Sequence, residues 1–253
     1  MGPERFINAP ALSHWGVPEL FREPAELKNG VYHALAKRPR VPLAQSSNFW
    51  PLTAAAYEPL WRKRSLGLLT RGAFSTEREL ELLLAWLKTE PGERVLDAAA
   101  SAGLYARTLL QAQPALDVHV LDFSRAFLKK AQGYAERDGV TPTFVLADVR
   151  RLPYRDAVFG ALVCGGSLNE FTDLPQTLGE FARVLKPGGR MWQMYLTRAE
   201  GLPGRVGQGL ARLSGLRFVT AAGLEAEAQG AGFRLERAQY RGPVALALFR
   251  RVP

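Results

Sequence analysis

Residues 94–107 read RVLDAAASAGLYAR. A short apolar run ends at Asp97, a loop of small residues follows, and a helical pattern begins near Leu104. A strand, a tight turn and a helix in this order are typical of a nucleotide-binding unit, in which the loop backbone lies against the ligand. Such loops usually carry three glycines, whereas only Gly103 is present here. The segment therefore predicts a nucleotide-binding turn that is built mainly from alanine and serine.

Downstream of this unit, short apolar runs alternate with amphipathic helical patterns. Such alternation indicates βαβ units and a parallel, doubly wound sheet. The tail, FRLERAQYRGPVALALFRR, predicts two strands that a tight connection can pair only in antiparallel fashion. We therefore expect an α/β fold with a seven-stranded, mostly parallel Rossmann-like sheet and a C-terminal antiparallel strand. Strands are predicted at DVHVLDF, TFVLADV, AVFGALVCGG and RMWQMYL, in addition to RVLDA.

The N-terminal third of the chain lacks this alternation. Pro39, Pro42 and Pro51 make a long helix between them unfavourable. Residues 52–68 have helical spacing, and STERELELLLAWLK opens with Ser75 as a capping residue. We therefore expect a helical cap over residues 1–90 and a ligand-binding domain over residues 91–253.

The overall composition is that of a globular protein, and its charge is unevenly distributed. The net charge of +9 arises mainly before residue 76 and after residue 194, while the centre is nearly neutral. Basic flanks of this kind favour RNA, an acidic substrate or an anionic membrane surface, but they are equally typical of a solvated arginine-rich surface.

Several classes of protein are disfavoured by the composition. The single cysteine rules out an internal disulfide framework or a multi-cysteine zinc site, and the three histidines lack metal-ligand spacing, so no metal is expected. No apolar run approaches the length of a membrane span, and the polar start is not typical of a signal peptide. We expect a cytoplasmic protein without stable membrane insertion; its oligomeric state is left open.

Three acids end successive predicted strands. Asp97, Asp122 and Asp148 are separated by nearly equal intervals along the βαβαβ series. In open parallel sheets, ligands bind beyond the carboxyl ends of the strands, at the point where the strand order reverses. We therefore expect all three carboxylates to line one edge of the sheet, beside the loop of small residues.

These motifs, in this order, resemble the class I S-adenosylmethionine-dependent methyltransferases, and in particular their ubiquinone/menaquinone-type branch. The resemblance covers residues 92–253 and rests on VLDAAASAGLYA, VLDFSRAFLKKAQ, ADVRRLPYRDAVFGALVCGGSLNEF and FARVLKPGGRMW. It implies S-adenosylmethionine as the cofactor and methyl transfer as the activity. In the family's pattern, Ala99 and Ser101 replace the first two loop glycines, and Gly103 keeps the third.

The resemblance also implies roles for individual residues. Asp122 would accept hydrogen bonds from the two ribose hydroxyls, and Asp148 would face the adenine amino group, with the Val149 amide near a ring nitrogen. Phe123 and Leu128 would pack against the adenine. The full implied cofactor site comprises Tyr57, Asp97, Ala98, Ala99, Ala100, Ser101, Gly103, Asp122, Phe123, Ser124, Leu128, Ala147, Asp148, Val149, Cys164, Gly165 and Asn169.

The loop CGGSLNEFTD, after the fourth predicted strand, lies where acceptor-side residues belong. Asn169, Glu170 and Tyr195 are the candidates for orienting an acceptor, and the sequence identifies no catalytic base. The opposite wall of the acceptor site is expected to comprise Tyr195, Arg198 and the glycine-rich segment 200–215, together with the cap.

The nature of the acceptor stays open. A small molecule or a lipid quinone fits the family branch, whereas an rRNA or tRNA base fits the basic flanks. Related rRNA guanine methyltransferases carry a four-cysteine zinc ribbon, which this sequence lacks. A non-catalytic nucleoside-binding module is the alternative from another class.

Binding of a dinucleotide is disfavoured by the loop itself. A dehydrogenase needs G-x-G-x-x-G, and here the third of those positions is Leu104, which is too large for close packing of the helix on the strand. Alanine and serine stay small enough for a cofactor without a pyrophosphate, and alanine is costly only where φ must be positive. We therefore expect a working S-adenosylmethionine loop.

Overall fold

Strands and helices alternate through the part of the chain that the computed structural model describes, residues 16–35, 66–67, 69–70, 72–199, 201–213 and 215–253. The strands are β1 Glu26–Lys28, β2 Val31–His33, β3 Arg94–Ala98, β4 Asp117–Asp122, β5 Thr143–Leu146, β6 Phe159–Gly165, β7 Leu185–Leu196, β8 Phe233–Arg241 and β9 Val244–Arg251. The helices are α1 Thr76–Leu87, α2 Leu104–Ala112, α3 Arg125–Arg137, α4 Leu174–Val184, α5 Leu202–Arg212 and α6 Ala221–Gly230, and short 3-10 turns lie at Pro18–Leu20 and Leu168–Glu170.

All these strands form one sheet, in the order β1-β2-β5-β4-β3-β6-β7-β9-β8. In this order, all adjacent strands from β2 across to β7 pair in parallel. Strand β9 pairs in antiparallel fashion with both β7 and β8. The chain places β4 and β5 on one side of β3 and then returns to add β6 on the other. This reversal makes the carboxyl ends of β3 and β6 the expected binding edge. The predicted α/β class, mostly parallel sheet and antiparallel C-terminal pairing are confirmed.

The predicted number of seven strands is wrong for this sheet, because an N-terminal hairpin adds two more. Strands β1 and β2 are joined by Asn29 and Gly30, which both have positive φ (50° and 74°). An Asn-Gly pair between two strands is the strongest local hairpin signal, since this turn needs positive φ at both central residues. Strand β2 then pairs in parallel with β5, and the Gln132 amide donates to the Asn29 carbonyl at 2.9 Å.

The hairpin and helix α1 both fall within the segment that the sequence predicts as a helical cap. Helix α1 is the predicted helix, and the Ser75 side chain accepts from the Arg78 amide as expected of an N-cap. The predicted helix over residues 52–68 lies almost entirely outside the described residues. The boundary at residue 90 therefore stays a prediction.

Helices cover both faces of the sheet. Helices α1, α2 and α3 pack on one face, and α4 and α6 on the other, so the central strands are buried on both sides. Strands of this kind are continuous apolar runs rather than alternating ones, as in residues 161–164 of β6. No helix in the described part of the chain is long and apolar enough to span a membrane.

A chain of buried hydrogen bonds joins α1 and α2 to the sheet. The Tyr105 hydroxyl donates to the Glu79 carboxylate, and the Trp192 indole N–H donates to the Tyr105 oxygen at 3.3 Å. All three side chains are buried. Polar groups in such a position depend on their partners, because each would lose its hydrogen bonds to water without replacement.

We expect Tyr105→Phe to lower the free energy of unfolding by about 1–3 kcal/mol, since it leaves Glu79 without this donor and Trp192 without its acceptor. Urea denaturation followed by circular dichroism measures the change. Tyr134→Phe is the control: its half-buried ring contacts the cations of Arg107 and Arg137, so removal of its hydroxyl should change the stability by no more than about 0.5 kcal/mol. Equal stability of Tyr105→Phe and the natural protein would contradict a stabilising role for this hydroxyl.

Candidate active site

The loop between β3 and α2 keeps the backbone geometry of a glycine-rich turn. Ala99, Ser101 and Gly103 all have positive φ, at 53°, 50° and 70°. These are the three positions at which the resemblance implies glycine. Each L-residue in this region costs about 1–2 kcal/mol relative to the right-handed conformation. The loop has therefore lost two glycines without losing the conformation that glycine normally provides.

Hydrogen bonds from neighbouring strands hold the loop in this conformation. The Ser101 amide donates to Asp122 Oδ2 at 2.8 Å, and the Ala100 amide donates to the Leu121 carbonyl at 3.0 Å. On the other side, the Ser167 hydroxyl donates to the Ala99 carbonyl at 3.1 Å. The loop is thus tied to the end of β4 and to the segment after β6, and these ties offset the backbone strain.

The Asp97 carboxylate binds a backbone amide of the protein itself. Its carboxylate is 2% exposed and accepts from the Ala106 amide, in the first turn of α2, at 3.0 Å. A carboxylate at a helix N-terminus satisfies an otherwise free amide and interacts favourably with the helix dipole. Asp97 therefore fixes the direction in which α2 leaves the loop.

The Asp122 carboxylate accepts hydrogen bonds from loop amides of the protein and can also accept one from a ligand. Its Oδ1 accepts from the Ser124 amide and its Oδ2 from the Ser101 amide, both at 2.8 Å. Burial raises the pKa of this carboxyl to about 6, although these amides and that of Phe123 pull the pKa down. A carboxylate offers about four acceptor sites, so this group can accept a further donor beside these amides.

Asp148 is engaged by a residue that the sequence analysis did not single out. Asp148 Oδ1 accepts from the amide and Nε of Arg150 at 2.9 and 3.0 Å, and Oδ2 accepts from Nε and Nη2 at 3.1 and 2.6 Å. Both oxygens are therefore saturated. Arg150 Nη1 also donates to the Thr172 hydroxyl at 3.0 Å, which ties the loop after β5 to the loop after β6. In this conformation, an adenine amino group would have to replace one of these donors.

The other residues predicted near the adenine differ in accessibility. Phe123 is half-buried, whereas Leu128 is 1% exposed and belongs to the core under α3. Ser124 caps α3 by accepting from the Phe127 amide. Ala147, Val149 and Ala98 are buried, and the Ala147 amide donates to the Asp122 carbonyl. Only Phe123 among these side chains is open enough to pack against a ligand.

The end of β6 brings small residues close to the loop. Cys164 is fully buried, and burial together with the charge of Asp97 raises the pKa of its thiol far above the usual range, so it is no nucleophile. The charges of Glu170 and Asp122 act in the same direction. Negative charge therefore converges here, which favours a cationic ligand.

The next residue of β6, Gly165, lies against the Tyr105 ring. A Cβ at Gly165 would be 2.6 Å from that ring, so only glycine fits.

Two acceptor-side candidates have their polar groups engaged internally. The Asn169 amide nitrogen donates to the Leu196 and Arg217 carbonyls at 2.8 and 2.7 Å, and its oxygen accepts from the Leu196 amide. Tyr195 is 2% exposed, and burial, with Tyr240 beside its hydroxyl, raises its pKa. The polar groups of Asn169 and Tyr195 therefore contact other parts of the protein.

The two remaining predicted residues differ. Glu170 is half-buried in the 3-10 turn, and Tyr57 lies outside the described residues.

A cavity of about 360 Å³ lies where the acceptor site is expected. Leu168 and Phe171 form one wall, and the opposite wall includes Arg198, Arg217 and Phe218. The loop after β6 and Arg198 therefore line the same cavity. The glycine-rich segment lines a second cavity of about 320 Å³, formed by Arg198, Arg205, Gln208 and Arg212.

No group of metal-ligating side chains occurs within the described residues.

Because the loop strain arises at two non-glycine residues, we expect Ala99→Gly and Ser101→Gly each to stabilise the protein by about 0.5–1 kcal/mol. The gain is smaller than the left-handed penalty because glycine also gains entropy in the unfolded chain. Thermal or urea unfolding measures it. Lys88→Gly, at a φ of 48° beyond the end of α1, is the matched control outside the loop. Stabilisation by Lys88→Gly alone would show that the loop conformation is not strained.

Comparison with known proteins matches part of the chain to methyltransferases. Residues 95–189 match the family model described as a methyltransferase domain. The demethylmenaquinone methyltransferase of Thermus thermophilus is 36% identical over 99 residues, which cover 39% of this chain and 45% of that protein. The ubiquinone/menaquinone biosynthesis C-methyltransferase of Cupriavidus metallidurans is 30% identical over 116 residues, 46% of this chain and 48% of that protein. The chain spans about half the length of the curated relatives it matches.

The fold agrees with these matches. The solved structure of a SAM-dependent methyltransferase from Aquifex aeolicus superposes with a TM-score of 0.61 at 17% identity, covering 80% of this chain and 98% of that one. At this identity the superposition shows the fold alone. Residues 95–189 thus match a methyltransferase domain, and the strand order and sequence motifs agree with the class I S-adenosylmethionine-dependent methyltransferases, with similarity to their ubiquinone/menaquinone-type branch.

Proposed function

We propose that this protein transfers a methyl group from S-adenosylmethionine to a small apolar acceptor of the quinone class. The observation that carries the proposal is Asp122: a buried carboxylate at a strand end, tied to a glycine-like loop and still able to accept a further hydrogen bond. The relatives named for demethylmenaquinone and for ubiquinone/menaquinone biosynthesis support the acceptor class.

The residues on the loop edge fit the cofactor. The remaining acceptor capacity of the Asp122 carboxylate suits the hydroxyls of a ribose. The negative charges of Asp97, Asp122 and Glu170 complement a ligand that carries a sulfonium and an ammonium group. Ala99, Ala100 and Ser101 would leave room for the methionine part, with the amino end of α2 near its carboxylate. Arg150 would keep Asp148 in place at the adenine end.

When bound, S-adenosylmethionine supplies an electrophilic methyl group on a positively charged sulfur. The part of the protein in such a displacement is to hold the two reactants in line and exclude water. Ser167, which donates to the Ala99 carbonyl, links the cofactor loop directly to the 3-10 turn that lines the acceptor cavity. This link would fix the distance between the two binding regions.

The acceptor cavity suits an aromatic ring with an ionisable oxygen. Leu168, Phe171 and Phe218 offer apolar contacts, and Arg198 and Arg217 line the same cavity. A quinone must be in its reduced, hydroquinone form for its ring carbon to act as a nucleophile. A guanidinium near the hydroquinone oxygen would favour the anion, which is the more nucleophilic form. The two arginines would therefore favour the nucleophilic anion, and the proton of the methylated ring carbon would be released to water.

The pKa of Asp122 predicts how cofactor binding depends on pH. Its folded pKa is raised to about 6, so the carboxylate is ionised above that pH and protonated below it. Ribose hydroxyls donate best to the ionised form, so we expect the Kd for S-adenosylmethionine to rise by up to about tenfold per pH unit below pH 6. Calorimetry between pH 5 and 7.5 measures this.

Asp122→Ala tests the same role directly. Loss of hydrogen bonds to a charged acceptor should weaken cofactor binding by about 100-fold or more and remove its pH dependence. Asp117→Ala, at the opposite end of β4, is the control and should leave the affinity within about twofold. Tight, pH-dependent binding that survives in Asp122→Ala would overturn the assignment.

The acceptor is tested by transfer of a radiolabelled methyl group to a short-chain 1,4-naphthoquinone lacking the ring methyl, kept reduced by dithionite. We expect Phe218→Ala to lower kcat/KM for this quinol by roughly tenfold or more, because a ring in the cavity wall is lost, with the cofactor Kd unchanged. Leu27→Ala, an exposed residue of β1, is the control.

Two results would refute the proposed acceptor. Labelling of bulk tRNA or rRNA instead of the quinol would indicate a nucleic-acid methyltransferase. Cofactor binding without transfer to either class would leave the non-catalytic nucleoside-binding module as the better description.

A further inference from the structure

Helix α5 and its end carry three large apolar side chains on the outside of the molecule. Val206, Leu210 and Leu213, at the helix and its end, follow the spacing i, i+4, i+7 that places side chains on one face. Their exposures are 58%, 66% and 82%. A helix in a globular protein normally turns such a stripe toward the core, so the outward direction requires a cause.

The cause is the way in which the opposite face is attached. Gln208 Oε1 accepts from the Ala199 amide and Gln208 Nε2 donates to the Thr197 carbonyl, both at 2.8 Å. Gly204 lies so close to the body that a Cβ there would be 2.7 Å from Ala199 Cβ. Gln208 is about 200° around the helix from Val206, so these contacts fix the apolar stripe toward solvent.

The surroundings of the stripe are strongly basic. Residues 201–219 contain three arginines and no acidic residue. Arg205 and Arg212 lie on the flank of the helix and, with Arg198, line the cavity of about 320 Å³. None of these three arginines takes part in an ion pair that the structure records among the described residues. All three arginines are exposed, so their charge can contact an external anion.

An apolar stripe flanked by arginines matches one surface chemistry best. The boundary of an anionic bilayer offers acyl chains and phosphate groups at the same level, so a helix of this kind lies in the plane of the interface. RNA would satisfy the arginines but would leave Leu210 and Leu213 in water. A protein partner without acidic groups would leave the arginines unpaired.

We propose that α5 is an interfacial helix by which the protein binds reversibly to an anionic membrane surface, with Val206, Leu210 and Leu213 in the acyl boundary and Arg198, Arg205 and Arg212 at lipid phosphates. The docking surface adjoins the acceptor cavity, because Arg198 lines both cavities. A lipid acceptor would thus reach the protein beside its binding site. The membrane binding goes beyond the proposed function and does not depend on methyl transfer.

Co-sedimentation with large unilamellar vesicles tests this proposal on the full chain. Vesicles of phosphatidylcholine alone are compared with vesicles that contain equal amounts of phosphatidylcholine and phosphatidylglycerol. We expect at least tenfold tighter binding to the anionic vesicles, and release of the protein at high salt, because the phosphate contacts are screened.

Two double variants separate the apolar and the basic contributions. L210S/L213S and R205Q/R212Q should each weaken binding to the anionic vesicles by about tenfold or more. R237Q/R241Q removes the same charge from β8, and L27S/V252S removes two exposed apolar side chains elsewhere; both should stay within about twofold. Unchanged binding of S-adenosylmethionine in all variants shows that they are folded.

Four results would overturn the proposal. These are no binding to anionic vesicles, equal binding to both kinds of vesicle, equal losses in the control variants, or binding of RNA that R205Q/R212Q weakens while L210S/L213S does not. A concentration-dependent dimer that L210S/L213S abolishes, without vesicle binding, would assign the stripe to a second copy of the chain instead.

Discussion

The hydrogen bond from the Ser101 amide to the Asp122 carboxylate is the contact on which the proposed binding edge depends. It joins the loop after β3 to the end of β4, and it holds Ser101 in a backbone conformation that an L-residue does not adopt freely. The same carboxylate also accepts from the amide of Ser124, at the start of α3. One buried group thus sets the positions of two loops, and its burial is the reason for its raised pKa.

The remaining loops of the binding edge are joined in a similar way. Arg150 connects Asp148 after β5 to Thr172 after β6, and Ser167 connects the segment after β6 to the loop at Ala99. Side-chain bridges of this kind let the loops around the strand reversal act as one unit. They also explain why few polar groups at this edge are free: most are used to order the site before any ligand binds.

Much of the fold and part of the site were predictable because the signals are local. The alternation of apolar runs and amphipathic helices predicts the parallel sheet, and acids after successive strands predict Asp97, Asp122 and Asp148 at one edge. The Asn29-Gly30 turn was an equally local signal, and it accounts for the two strands beyond the predicted seven. The use of Asn169 for internal bonds had no local signal, because its partners lie 27 and 48 residues away.

The sequence by itself determined the alternation of strands and helices from β3 onward, the position of the acids and the small size of the loop, because each follows from spacing along the chain. Only the tertiary structure decided which groups stay available to a ligand or partner. Leu128 lies in the core, Arg150 occupies both oxygens of Asp148, and α5 turns its apolar stripe toward solvent. The physical reason is that availability depends on partners brought together by folding. The sequence gives the type of each side chain. The neighbours that folding brings around it decide whether its polar or apolar groups contact the protein or a ligand.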